Sequence, residues 1–330
     1  MNWLKAIFAT FVVVFSVVGC GPSERYVTVE GYMLGTTFRV VANTSLPQSD
    51  IYAEAMRIDV DAKSSMSIFS PSSLISRINA GQVDTLDIHL LRNIAVAWRM
   101  YQLSGGAYDI TVKPLTEAYG FAAKGKIEHP NIDSLLQFVG FEKLRVDGSR
   151  LKKSDDRIQI DLNSLAKGYV VDLFADRLEQ MGCRDYIVEI GGEIRASGVN
   201  SRGGEWRVGV DTPYEGNQNP GESCQTIIKI SDKALATSGN YRRYYTDNEG
   251  NKVTHTINPK TGRSVVSRLL SATVVADRCV EADAMATMFM AMGDQGAIAL
   301  ADSLKSEGVQ VYFILSAGDE YEIFSTLESL

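Results

Sequence analysis

Apolar and polar positions alternate over residues 26–32 (YVTVEGY) and again over 36–41 (TTFRVV), the period of two expected of half-buried strands. Leu34-Gly35 between them marks a tight approach or a bulge. Residues 50–62 read as a helix, and 66–76 (MSIFSPSSLIS) as a loop running through Pro71 into another helix start. Leu90, Leu91, Ile94, Ala97, Trp98 and Tyr101 recur at helical intervals within 86–103, and Gly105-Gly106 stops the run. Residues 107–114 (AYDITVKP) begin a new segment, 132–139 predict a short helix, and 144–160 carry two strand-like runs, one of them charged and suited to a sheet edge.

The densest set of signals lies in residues 161–198. Ile158 and Ile160 alternate as a strand that ends at Asp161. Ser164 is placed to cap a helix through its hydroxyl. Leu165, Tyr169, Leu173 and Leu178 follow at roughly helical spacing, and Gly182 suits a C-terminal stop. Tyr186-Ile187-Val188 is a short strand running into Gly191-Gly192. A helix start with an acid and a lysine beside it, then a strand and a glycine pair, suits a phosphorylated ligand. An ordinary βαβ-like segment with a glycine turn explains the same residues equally well.

Further on, 206–210 and 226–230 predict strands, 235–245 (LATSGNYRRYY) contains a turn, and 247–250 reads as a hairpin turn. Residues 270–276 (LSATVVA) read as a buried strand, 280–293 (VEADAMATMFMAMG) as an amphipathic helix, and 309–315 and 320–325 as closing strands. Short turns join most strand neighbours. The fold class is therefore α+β, with mixed, largely antiparallel sheets and packed helices rather than a doubly wound sheet. With no internal repeat and no low-complexity linker, residues 26–330 read as a single domain.

The N-terminus changes the picture of compartment. Residues 1–5 are positive, 6–18 are apolar and uncharged, and Val17-Val18-Gly19-Cys20 resembles a bacterial lipobox. On this reading 1–19 is a lipoprotein signal peptide, Cys20 is the lipidated first residue, and 20–25 is a tether. An uncleaved anchor helix or a plain signal peptide are the alternatives. The expected location is the inner membrane, lipid-anchored on its periplasmic side. The formal charge of −7 becomes one unit more negative without Lys5, which argues against non-specific nucleic-acid binding. Cys183, Cys224 and Cys279 have no metal-site spacing; they read as mostly buried thiols with room for one disulfide.

Asp283 and Thr287 stand four apart on a predicted helix, so a carboxylate and a hydroxyl share one face. Hard oxygen donors suit magnesium; an Asp that merely favours a helix N-terminus is the plainer reading. His255 lies in HTINPKTG, between a strand and a proline-glycine turn. It is the best placed of three histidines to act as a base, since His89 sits on an ordinary helix and His129 in a polar loop, both expected at the surface. A structural role fits His255 as well. Asp161 and Lys167 flank a helix start, and Thr237-Ser238-Gly239 offers hydroxyls and a flexible backbone. The chain has no Walker pattern, GxGxxG, HExxH, G-x-S-x-G or paired CxxC.

Taken in order, eight blocks resemble the ApbE family of FAD:protein FMN transferases: Gly35-Thr36-Thr37, 67–79, 106–115, 161–172, Gly191-Gly192-Glu193, 236–242, 255–262 and 282–293. The resemblance implies an ApbE-like, T-fold-related α+β fold and a cleft that binds FAD and Mg²⁺. It implies cleavage of the FAD pyrophosphate, release of AMP, and attachment of FMN by a phosphoester to a Thr or Ser of an acceptor, such as subunits of the Na⁺-translocating quinone reductase or of Rnf complexes. By the family pattern Asp283 and Thr287 would be metal ligands, with Ser164 at the metal-contacting backbone position. Flavin contacts would fall on Leu34, Phe69, Ala107, Tyr108, Asp109, Asp161, Lys167 and Ile257, and His255 would deprotonate the acceptor hydroxyl. Leu34, Phe69 and Asn258 depart from the family's frequent Met, Tyr and Asp. An Mg²⁺-dependent FAD pyrophosphatase and a non-catalytic flavin-binding lipoprotein are the alternative functions.

Overall fold

A computed structural model describes residues 25–121, 126–214, 217, 221–241, 244–247, 250 and 252–327. The leader, the lipobox with Cys20, and part of the 247–250 turn lie outside the described residues.

The chain opens with β1 (Tyr26–Met33) and β2 (Thr36–Asn43), paired antiparallel from Tyr26↔Asn43 to Met33↔Thr36. The two residues between them, Leu34 (φ 52°) and Gly35 (φ 78°), both have positive φ. That is a two-residue hairpin turn whose twist matches the strands, not a bulge. Leu34 adopts this costly conformation because its N–H donates to Asp59 Oδ1 at 2.7 Å. Helices α1 (Gln48–Met66), α2 (Leu74–Asn79), α3 (Ile88–Leu103), α4 (Lys113–Ala118) and α5 (Ile132–Leu136) follow. Ser73 and Asp87 cap α2 and α3 through their side chains. A small hairpin, β3 (Leu144–Asp147) with β4 (Arg150–Lys153), precedes α6 (Ala166–Gln180).

Next come β5 (Tyr186–Ile190), β6 (Glu193–Ser197), β7 (Trp206–Asp211), β8 (Cys224–Ile230), β9 (Lys233–Gly239), β10 (Tyr244–Thr246), β11 (Lys252–Thr254) and β12 (Leu269–Ala276). The long helix α7 (Cys279–Leu304) and the strands β13 (Gln310–Ala317) and β14 (Glu320–Ser325) close the chain. Eight strands form one sheet in the order β1-β2-β5-β6-β9-β12-β13-β14. Every neighbouring pair in it is antiparallel, within the expected α+β class.

One face of this sheet is covered and the other only over its middle strands, while β1 and β2 keep an open face. Helices α1, α6 and α7 pack on one face over a core that includes Phe38, Phe174, Phe289 and Phe313. The β7–β8 hairpin covers the other, with Trp206, Val208 and Ile228 over Ile194, Leu235 and Ile314. Consecutive residues of β12 serve opposite cores, Val274 the first and Val275 the second. A strand buried on both faces loses its polar alternation, which is why 270–276 reads as a continuous apolar run.

Three local expectations are corrected. The segment at Ile158–Ile160 is not a strand: the Asn79 amide takes the place of a neighbouring strand, donating to the Ile160 carbonyl at 2.8 Å and accepting from its N–H at 2.7 Å. The turn expected within 235–245 falls at Asn240 and Tyr241, after Leu235 to Gly239 have run as the end of β9 in the middle of the sheet. Helix α7 is not amphipathic in its first half but buried nearly all round, and it breaks at Gly293 (φ 74°, ψ 174°). His89 is no surface residue: its side chain is 13% exposed, with Nδ1 3.0 Å from the Tyr169 hydroxyl and Nε2 3.1 Å from Asp61 Oδ2. Cys183 and Cys279 are buried and Cys224 is exposed, and all three are free thiols.

Candidate active site

Helices α6 and α7 cross at Gly168. A Cβ there would lie 2.4 Å from the Cys279 carbonyl oxygen and 2.8 Å from Asp283 Cβ, so only glycine permits the approach. The contact lets each helix cap the other. Gly168 N–H donates to Asp283 Oδ2 at 2.9 Å, at the start of α6. Asp172 on α6 accepts from the N–H groups of Cys279 and Val280, both at 3.0 Å, at the start of α7. Buried Asp172 is further paired with Arg195 and Arg278. Ser164 is thereby relieved of the capping role expected of it. The N-cap residue of α6 is Leu165, which has no capping side chain, and the Ser164 hydroxyl lies 2.7 Å from the Tyr108 hydroxyl.

Asp283 faces a cleft of about 1160 Å³ that also reaches the free face of β2 and β5 and the β7–β8 hairpin. Ala107, Tyr108, Asp109, Asp161, Ser164, Lys167, His255, Ile257, Asp283 and Thr287 all line it, so ten of the residues singled out in the sequence meet in one cavity. Leu34 and Phe69 are not among its lining residues; Leu34 sits in the β1–β2 turn and Phe69 is 62% exposed on the loop after α1.

Within the cleft, the Thr287 hydroxyl lies 3.1 Å from Ser238 Oγ on β9. Asp109 is engaged by the protein itself: Oδ1 accepts from the Thr111 N–H and hydroxyl, and Oδ2 from the Phe141 N–H. His255 follows β11 directly, with its ring edge-on to Phe121 at 6.3 Å. Ile257 packs with Leu115 and Val139.

The electrostatics centre on Lys167, Glu193 and Asp283. Glu193 begins β6, is 4% exposed, and forms an ion pair with the Lys167 ammonium through Oε1. Burial opposes the charge on Lys167, but Glu193 and Asp283 outweigh it, and the ammonium titrates above its ordinary range. Burial pushes the Asp283 carboxyl up to about 7 against the pull of Lys167, with Glu193 adding to the rise. Glu193 Oε2 is buried without a hydrogen-bond partner among the described residues. In the sequence Glu193 stands out only within the Gly191-Gly192-Glu193 block. The signal was a charged residue at an inward register position beside Ile194, which strand alternation alone flags.

This donor set fits a magnesium ion. Its candidates are hard oxygens, and no group of three or more His, Cys, Asp or Glu able to form a metal cage occurs among the described residues. One carboxylate, hydroxyls, a main-chain oxygen and substrate phosphates are what magnesium accepts, since it keeps several waters. Asp161, Glu193 and Asp283 bring three carboxyl groups to the lining around Lys167, and one Glu193 oxygen there has no hydrogen-bond partner among the described residues.

Residues 34–313 match the ApbE family. The chain belongs to the ApbE family. A FAD:protein FMN transferase of Vibrio cholerae is 31% identical, the alignment covering 98% of this chain and 97% of that one. One from Haemophilus influenzae is also 31% identical, over 91% of this chain and 89% of its own. Among solved structures, the flavin transferase ApbE of Vibrio cholerae superposes with a TM-score of 0.82 at 30% identity, covering 92% and 97% of the two chains. The apo flavinyl transferase ApbE of Pseudomonas stutzeri gives 0.80 at 27%, covering 92% and 95%. The enzyme class of the family is transferase.

Proposed function

We propose that this protein is an Mg²⁺-dependent FAD:protein FMN transferase. The observation that carries the reading is convergence: a base candidate, an oxygen donor set and a half-buried lysine, from segments between Ser164 and Thr287, line one cleft in a chain related to such enzymes along nearly its whole length. In the proposed reaction a threonine or serine Oγ of the acceptor attacks the FMN-side phosphorus of FAD. The new O–P bond forms as the bond to AMP breaks, and the hydroxyl proton passes to His255. Phosphoryl transfer rests mainly on positioning and charge neutralisation. Lys167 brings a positive charge to the cleft, and the wall of Tyr108, Ile257 and Ala107 supplies apolar surface for the flavin. Asp283, Thr287 and the main chain at Ser164 would hold the metal, which when bound offsets charge on the pyrophosphate.

The test is direct. The full-length protein is incubated with FAD, Mg²⁺ and a candidate acceptor subunit of the Na⁺-translocating quinone reductase. In-gel flavin fluorescence and an acceptor mass gain of one FMN are expected, together with AMP. FMN and AMP without labelling would point to a pyrophosphatase, and bound but unchanged FAD would refute both enzymatic readings. Asp283→Ala should abolish turnover. We further propose anchoring through Cys20 at the periplasmic face of the inner membrane; palmitate labelling should vanish in Cys20→Ser.

A further inference from the structure

The Lys167–Glu193 pair has a feature that a purely structural ion pair lacks. Buried carboxylates normally satisfy both oxygens. Glu193 is 4% exposed, yet only Oε1 has a partner, and that partner is the Lys167 ammonium. The other oxygen is left buried beside the cleft that Glu193 lines. Its backbone is held firmly. The Gly191-Gly192 turn that precedes it leaves no room for a side chain at Gly191, where a Cβ would lie 2.8 Å from Thr36 Cγ2. The Glu189 carboxylate accepts from the Gly192 N–H at 2.8 Å, tying the same turn down. Lys167 sits one residue before the glycine at the α6–α7 crossing, so its main chain is fixed as well. A flexible four-carbon side chain between two fixed backbones needs a partner to choose its rotamer.

Resting on the function proposed above, we infer that Glu193 is a positioning residue: it fixes the Lys167 ammonium at the place in the cleft where the phosphates of the dinucleotide bind. Glu193 is not expected to touch the reacting atoms. It acts through Lys167, and removing either member should cost the same binding.

The test is a double-mutant cycle on FAD affinity, read by flavin fluorescence on the full-length protein without acceptor and with Mg²⁺ withheld. Glu193→Gln and Lys167→Met are each expected to weaken FAD binding about tenfold or more, and the double variant to be no weaker than the poorer single one. Thermal melting of each variant separates this from loss of fold. Penalties that multiply in the double variant, or an FAD affinity unchanged in folded Glu193→Gln, would overturn the role. If Glu193→Gln does not fold, Glu193→Asp, which keeps the charge one methylene back, must show the same non-additivity with Lys167→Met; additive penalties there would overturn it equally. Failure of the unaltered protein to bind FAD would instead refute the proposed function itself.

Discussion

Replacing Gly168 by alanine adds one methyl group at the crossing of α6 and α7. That methyl would sit 2.4 Å from the Cys279 carbonyl oxygen and 2.8 Å from Asp283 Cβ. Ordinary contact requires the two helices to part by about 1 Å. Overpacking of this kind costs about 1–3 kcal/mol, while alanine in place of glycine in a helix returns ~1 kcal/mol. The net loss of stability is therefore about 0–2 kcal/mol, within what a folded domain tolerates. The site should fare worse. The Gly168 N–H bond to Asp283, 2.9 Å in the native protein, would be stretched beyond use. A misplacement of about 1 Å can cost about 100-fold in rate, equivalent to ~2.7 kcal/mol of transition-state stabilisation. We expect Gly168→Ala to melt within a few degrees of the native protein yet transfer FMN about 100 times more slowly, measured by steady-state FAD turnover beside a thermal melt. Native turnover in a folded Gly168→Ala protein would refute the claim that the crossing sets the position of Asp283.

Two further outcomes concern the other half of the crossing. Asp172→Ala leaves the Cys279 and Val280 N–H groups and the largely buried Arg195 without their shared partner, so a loss of about 3–5 kcal/mol is expected in urea unfolding; a loss below about 1 kcal/mol would show that the cap contributes nothing. Asp176 opposes a burial penalty with its bonds to Arg278 and Arg195, which hold its carboxyl below the usual range. Its contribution is then present above the unfolded value near 3.9 and lost as pH falls through the lower folded value. The stability gap between the native protein and Asp176→Asn should be constant above about pH 5 and shrink below about pH 4; a gap that widened on acidification would contradict this.

Much of the fold is legible in the sequence because period-two patterns survive wherever a strand has one covered and one open face, as in β1 and β2. Legibility fails where both faces are covered. The first half of α7 is buried nearly all round, so no stripe marks its orientation, and Thr237, Ser238 and Gly239 carry polar and flexible chemistry inside the central strand β9, which blurs where that strand gives way to the turn. The same cause hides parts of the site. Ser164 looks like a helix cap by type and position, but the real cap comes from Asp283, 115 residues from Gly168 in sequence. No local rule sees a partner at that separation. Asp283, Thr287 and His255 were visible as chemistry by residue type; that they share a cavity with Lys167 is a property of the fold alone.

The mutual caps of α6 and α7 also order events in time. Each bond spans more than a hundred residues, 115 for Gly168 to Asp283 and 107 for Cys279 to Asp172. Loops of that length close late, after shorter-range hairpins have formed. A chain with α6 formed but α7 not yet docked lacks the Asp283 cap on α6 and the Asp283 side chain in the cleft. The completion of α6 and the completion of the cleft wall are therefore one folding event, the docking of α7.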